Sequence, residues 1–235
     1  MSTKLKTQRQ ALDDLWSQGL SGKSLLRTLS GLTDEFIRDR FAAIADADKE
    51  SQVALVALGG YGRQELFPFS DIDLMILFRP EIRKNVSTIA DSILYPLWDT
   101  GFEVGHGVRT IEESLKQAAD DIIFQVALLD GRCIGGSTDL FEQLMADFRH
   151  KFVDGRRREF ISDLNQLSSE RRERFGSHGY LLEPNIKESK GGFRDIQSMI
   201  WAAKVVFGIA TFDDIIDAGF LLPSEGERFN EAHNM

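Results

Sequence analysis

The sequence predicts an α/β (α+β) fold: a small mixed sheet, N-terminal helices, and a C-terminal helical part. Three observations predict it. Two apolar runs of strand length, Val53–Leu58 and Leu74–Phe78, stand on either side of a glycine turn. A further stretch, Phe102–Thr110, alternates with period two. Around these strands, apolar residues recur at three- and four-residue steps over long segments, the spacing of amphipathic helices.

Residues 1–50 read as helical. Ala11, Leu12, Leu15 and Trp16 form one apolar stripe, and Leu25, Leu26 and Leu29 a second, with Ser21-Gly22 between them. Thr33-Asp34-Glu35 has the composition of an N-cap, so a third helix is expected to start there, with Phe36, Ile37, Phe41 and Ile44 on its inner face. Residues 84–100 read as helix through Val86, Ile89, Ile93, Leu94 and Leu97, and Pro96 predicts a kink or early stop near Tyr95. In the alternating strand, Phe102, Val104, His106 and Val108 share one face, and Glu103, Gly105, Gly107 and Arg109 the other. Residues 111–130 are expected to form a single helix, with Asp120 and Asp121 as solvated charges. A turn, a short strand and a turn cover 130–136. Long helix then fills 138–175, with a basic middle. The expected organisation is an N-terminal helical segment at 1–50, a compact α/β domain at 51–137 and a helical domain at 138–235. The chain stops at Glu231-Ala232-His233-Asn234-Met235 inside what reads as a helix, the pattern expected of a piece of a longer protein.

Bulk properties exclude several classes. Hydrophobic residues make up 42% of the chain, ordinary for a soluble protein with a core. Net charge is −9, a poor field for nucleic-acid backbone, so no nucleic-acid partner is expected. Cys133 is the one cysteine, so no intrachain disulfide can form. There is no apolar segment of secretory or membrane-spanning length, and a cytoplasmic setting is expected.

The chemistry concentrates between the first two strands, in Gly59-Gly60-Tyr61-Gly62-Arg63-Gln64-Glu65-Leu66-Phe67-Pro68-Phe69-Ser70-Asp71-Ile72-Asp73. Adjacent glycines let the backbone bend sharply and approach a ligand, and exposed N–H groups in such a turn suit phosphate oxygens. Residues two apart on a strand share a face, so Asp71 and Asp73 project together while Ile72 and Leu74 point into a core. Two carboxylates on one face repel unless a cation lies between them. Such oxygen ligands suit Mg²⁺, which binds one or two carboxylates plus substrate phosphates. Arg63 is open to two roles, ligand contact or a salt bridge.

This string resembles the nucleotidyltransferase signature of the polymerase-beta-like superfamily. It is similar, more narrowly, to the N-terminal catalytic part of the bacterial uridylyltransferases that modify the nitrogen-regulatory PII protein. A second string, Tyr180-Leu181-Leu182-Glu183-Pro184-Asn185-Ile186-Lys187-Glu188-Ser189-Lys190-Gly191-Gly192-Phe193-Arg194-Asp195, resembles the loop of the helical domain that follows in that family. By composition alone this loop is either a phosphate site or a helix-capping loop. The resemblance favours ligand contact by Lys187 and Arg194. It further implies transfer of UMP from UTP to a tyrosine hydroxyl of PII, with pyrophosphate released. Asp71 and Asp73 would hold two Mg²⁺ ions and be the catalytic carboxylates. Gly59, Gly60, Arg63 and Ser70 would contact the nucleotide. The related enzymes that adenylylate glutamine synthetase have an aspartate where Gly105 stands. That departure leaves the third metal ligand open, with Glu103 as a substitute. Adenylyl transfer to a protein, and a non-catalytic nucleotide-binding regulatory module, are the alternative functions.

Overall fold

The computed structural model describes residues 13, 16, 17, 19, 22–175, 185–209, 212–219, 222 and 224–228. The expected helix through Ala11, Leu12 and Leu15, the segment Tyr180–Pro184 and the region of Pro223 lie outside the described residues. The chain divides into two units, with the break between Asp147 and Phe148.

The first unit is built on a four-stranded mixed sheet in the order β3-β2-β1-β4, formed by β1 (Val53–Ala57), β2 (Ile72–Phe78), β3 (Val104–Arg109) and β4 (Arg132–Gly136). β1 runs antiparallel to both β2 and β4, and β2 runs parallel to β3. Helices α1 (Gly22–Ala42), α2 (Ala47–Gln52) and a single turn, α3 (Gly59–Gly62), are followed by α4 (Val86–Asp99), α5 (Ile111–Asp120), α6 (Ile122–Leu129) and α7 (Thr138–Phe148). One sheet face packs Leu55, Ala57, Ile72, Leu74 and Ile76 against Leu29, Phe36 and Ile37 of α1 and Ile89, Ile93 and Leu97 of α4. Burying each of these larger side chains stabilises the unit by about 1.5–3 kcal/mol. The opposite face meets α5, where the Ser114 hydroxyl donates to Met75 Sδ at 3.7 Å.

Four local expectations change. No helix starts at Thr33: α1 continues through it. Thr33 donates back to the Leu29 carbonyl at 2.9 Å, and Asp34 is drawn inward to partners described below. Pro96 does not stop α4, which runs to Asp99. Proline in the last turn removes a single donor, that for the carbonyl of half-exposed Ser92, and the fully buried Leu97 anchors the turn beyond it. The helix expected over 111–130 is two helices. Asp121 is extended (φ −138°) and caps the second by accepting from Ile123 N–H at 2.8 Å. The long helix over 138–175 is broken likewise, by a π turn at Arg149–Val153, before α8 (Arg157–Phe175).

Tyr61 is buried against α1, its hydroxyl donating to Asp34 Oδ1 at 2.7 Å. Arg132 grips the same carboxylate at 2.6 and 3.2 Å. Burial, with the Asp34 charge beside it, pushes the Tyr61 phenol well above its ordinary value. A raised folded value means that this group's stability is fully present below the unfolded value near 10 and is lost as pH rises through the folded one. Tyr61→Phe is expected to cost about 1–2 kcal/mol at neutral pH. It should also flatten the loss of stability above about pH 10. Denaturant midpoints measured across that window for both proteins check this. A variant keeping the full alkaline slope would remove Tyr61 as its source.

The second unit contains α8, α9 (Phe193–Phe207) and α10 (Phe212–Asp217). Arg171 of α8 is ion-paired with Asp195 in the first turn of α9, and Asp195 also accepts from Gly191 N–H at 2.8 Å. Gly208 closes α9 in the left-handed conformation. Among the described residues no helix is long and apolar enough to cross a membrane.

Candidate active site

The site of the first unit begins where β1 ends. Leu58 is extended, and its N–H donates to the Asp73 carbonyl at 2.9 Å, tying the turn to the start of β2. Gly59 takes φ +53°, a conformation that L side chains rarely adopt. The chain then makes one helical turn. Gly62 N–H donates to Leu58 O at 2.9 Å, Arg63 N–H to Gly59 O at 3.1 Å, and Glu65 N–H to Gly60 O at 2.8 Å. Gln64 is in the left-handed region (φ 61°), a strained position for a side chain that turns the backbone toward Glu65.

Two buttresses hold this turn from behind. Arg63 Nε donates to Glu65 Oε2 at 2.7 Å and Nη1 to Asp130 Oδ2 at 2.6 Å. Burial alone would push the Arg63 guanidinium down; the two carboxylates more than offset this and hold it above its ordinary value. The second is Arg132, which donates to Gly62 O at 3.2 Å and to Tyr61 O at 3.3 Å while holding Asp34. Of the two roles open to Arg63, its contacts here are those of the salt bridge.

Asp71 and Asp73 flank the buried Ile72 and are themselves exposed. The Asp73 carboxylate lies in a recess made by missing side chains. A Cβ on Gly59 would stand 3.3 Å from Asp73 Oδ2, and one on Gly105 would stand 2.7 Å from Asp73 Oδ1. The parallel register places Gly105 directly opposite Asp73. Asp73 therefore leans into the space that a side chain at position 105 would fill. Glu103 is exposed, and its carbonyl accepts from Ile72 N–H at 2.9 Å. Among the described residues no group of three potential ligands gathers. Ser70 is half-buried at the end of a turn, its N–H donating to Phe67 O at 3.0 Å. His106 is exposed, edge-on to Trp98 at 5.7 Å between ring centroids.

An all-oxygen pair of exposed carboxylates, set beside a bare glycine turn, fits a hard cation that completes its shell with water and phosphate oxygens. Softer metals would draw on imidazole or thiolate, which this pair lacks.

Lys187 and Arg194 belong to the second unit. The loop brings them together: Arg194 N–H donates to the Lys187 carbonyl at 3.0 Å. Asn185 Oδ1 accepts from the N–H groups of Lys187 and Glu188 at 3.0 and 2.9 Å. The Lys187 side chain is exposed, whereas Arg194 bonds Gln197 at 2.8 Å and lies over the Trp201 ring at 5.7 Å.

Comparison with known proteins sharpens the reading. The profile of the GlnD PII-uridylyltransferase family matches residues 159–235, and that of the nucleotidyltransferase family DUF294 matches residues 6–117. Over 183 residues the chain is 36% identical to a bifunctional uridylyltransferase/uridylyl-removing enzyme of Novosphingobium aromaticivorans, covering 78% of this chain and 20% of the relative. The enzyme of the same name from Nitrosospira multiformis is 34% identical over 228 residues, 94% of this chain and 25% of the relative. The chain belongs to the uridylyltransferase/uridylyl-removing enzyme family. It spans about a fifth to a quarter of the length of these curated relatives. In this family member, the buttressing residues Asp34, Asp130 and Arg132 carried no sequence signal for this role, and Asp34 read instead as a helix cap. Their partners lie 67 and 98 residues away, so no local pattern announces them.

Proposed function

We propose that this chain carries out the nucleotidyl-transfer half of its family's work, moving UMP from UTP to a tyrosine hydroxyl of the PII protein. The observation that supports this best is the Asp73 carboxylate seated between the glycine turn and Gly105 with Asp71 beside it. Asp71 and Asp73 are the metal-binding and catalytic carboxylates. The turn at Gly59 and Gly60, with Ser70, receives the triphosphate. Arg63 acts through its ion pairs, fixing the turn that meets the nucleotide. The family resemblance gives Lys187 and Arg194 as further nucleotide contacts. Held by the two aspartates, Mg²⁺ would supply the positive charge that binds the triphosphate and favours the ionised tyrosine. In the transfer, the phenolic oxygen bonds to the α-phosphorus and the bond to the β-phosphate oxygen breaks. Pyrophosphate leaves, and the phenolic proton passes to water.

Calorimetric titration with each of the four nucleoside triphosphates, with and without Mg²⁺, tests the reading. Metal-dependent binding of UTP in preference to ATP is the expected result, followed by label transfer from UTP to PII. Preference for ATP would replace it with adenylyl transfer. Binding without pyrophosphate release in the presence of PII would leave a nucleotide-binding regulatory module.

A further inference from the structure

The geometry points to Arg109 as a second phosphate contact of the same site: we propose that its guanidinium binds the β,γ end of the nucleotide's polyphosphate. This rests on the nucleotidyl-transfer reading above. Arg109 closes β3, four residues beyond Gly105 and on the same face. The register sets Gly105 opposite Asp73, Gly107 opposite Met75 and Arg109 opposite Leu77, so Arg109 shares the sheet face that carries the Asp73 carboxylate. Its side chain does not reach outward. Nη1 lies 1.6 Å, and Cζ 2.8 Å, from where a Cβ on Gly107 would stand. The guanidinium is therefore laid back along the strand, toward Gly105 and Asp73, in a berth that exists because residue 107 is glycine. The two residues from 107 to 105 span about 6.6 Å of strand. The cation thus lies a short polyphosphate's reach from the carboxylate pair.

Its surroundings hold it there without neutralising it. The ring of buried Phe124 lies 5.5 Å from Cζ. Thr110, the next residue, is fixed by a capping box with Glu113 that starts α5. Among the described residues, no carboxylate pairs with Arg109, in contrast to Arg63 and Arg132, whose forks are taken by acids. A half-buried planar fork of five donors with no acidic partner matches the oxygens of a phosphate. At the leaving end of the chain it would also stabilise charge that grows on pyrophosphate during transfer.

The test is titration of the wild-type chain and of Arg109→Ala, Arg109→Lys and Gly107→Ala with UTP, UMP and inorganic tripolyphosphate, each with Mg²⁺. Thermal midpoints serve as the control for folding. Arg109→Ala is expected to weaken UTP and tripolyphosphate by about tenfold or more and UMP by less than about twofold. Gly107→Ala fills the berth and should shift the same two ligands in the same direction with Arg109 still present. Arg109→Lys keeps the charge but loses the fork, and falls between. If Arg109→Ala binds tripolyphosphate as tightly as the wild type, or loses UTP and UMP alike, the assignment is overturned. Wild-type binding of tripolyphosphate without preference for UTP would remove the uridylyl reading and leave Arg109 in place. Preference for UTP, with discrimination between UTP and UMP intact in Arg109→Ala, would do the reverse.

Discussion

Asp73→Asn is expected to lower the proposed transfer to PII by about a thousandfold or more, equivalent to roughly 4 kcal/mol of lost transition-state stabilisation. The amide has the size of the carboxylate, so the recess between Gly59 and Gly105 stays filled. What is lost is one negative charge from the pair proposed to hold the divalent cation. Because Asp73 is exposed, the change in fold stability should stay within about 0.5 kcal/mol. Pyrophosphate release and the thermal midpoint, measured on the same preparation, separate the two effects. Full turnover in this variant would sink the two-carboxylate mechanism.

The second large effect falls on a residue with no chemistry of its own. Gly62→Ala should destabilise the first unit by about 3 kcal/mol. The added Cβ would stand 2.1 Å from the Asp130 carbonyl oxygen and 2.9 Å from that of Ala57. Both are backbone atoms and cannot rotate away. Relief requires the turn to part from the segment at Asp130, which carries the Arg63–Asp130 pair and the bond from Arg132 to Gly62 with it. For a unit of this size the thermal midpoint should fall by roughly 6–12 °C, and nucleotide affinity should fall with it. An unchanged midpoint would mean that the turn is not pinned from behind. The two variants thus fail differently, one as a folded protein without turnover and the other as a loosened fold.

The sequence carried the centre of the site because everything needed to read it is local. Two apolar runs bracket a glycine turn and an Asp-x-Asp pair, and period-two alternation alone puts both carboxylates on one face. The same alternation placed Gly105, Gly107 and Arg109 together on β3. It could not show that Arg109 folds back over Gly107, since that depends on the room left by a neighbour. Helix boundaries were less legible where side chains had distant claims. Asp34 has the chemistry of a cap, but Tyr61 and Arg132 hold it inside α1. Asp121 looked like a solvated charge and caps a helix. Arg63 could not be placed before the fold brought Asp130 to it.

The register of β3 against β2 also restricts how this gene segment can change length. Each side chain of β3 faces the opposite way from its neighbours, so inserting or deleting one codon before Gly105 would bring a residue of the other face opposite Asp73. Valine or histidine would then replace a glycine gap, and Arg109 would turn to the core side. Changes in steps of two preserve the facing, while substitutions on the core-side face leave the recess untouched. The stretch from Glu103 to Arg109 therefore behaves as a reading frame with a period of two residues, more tolerant of altered letters than of altered spacing.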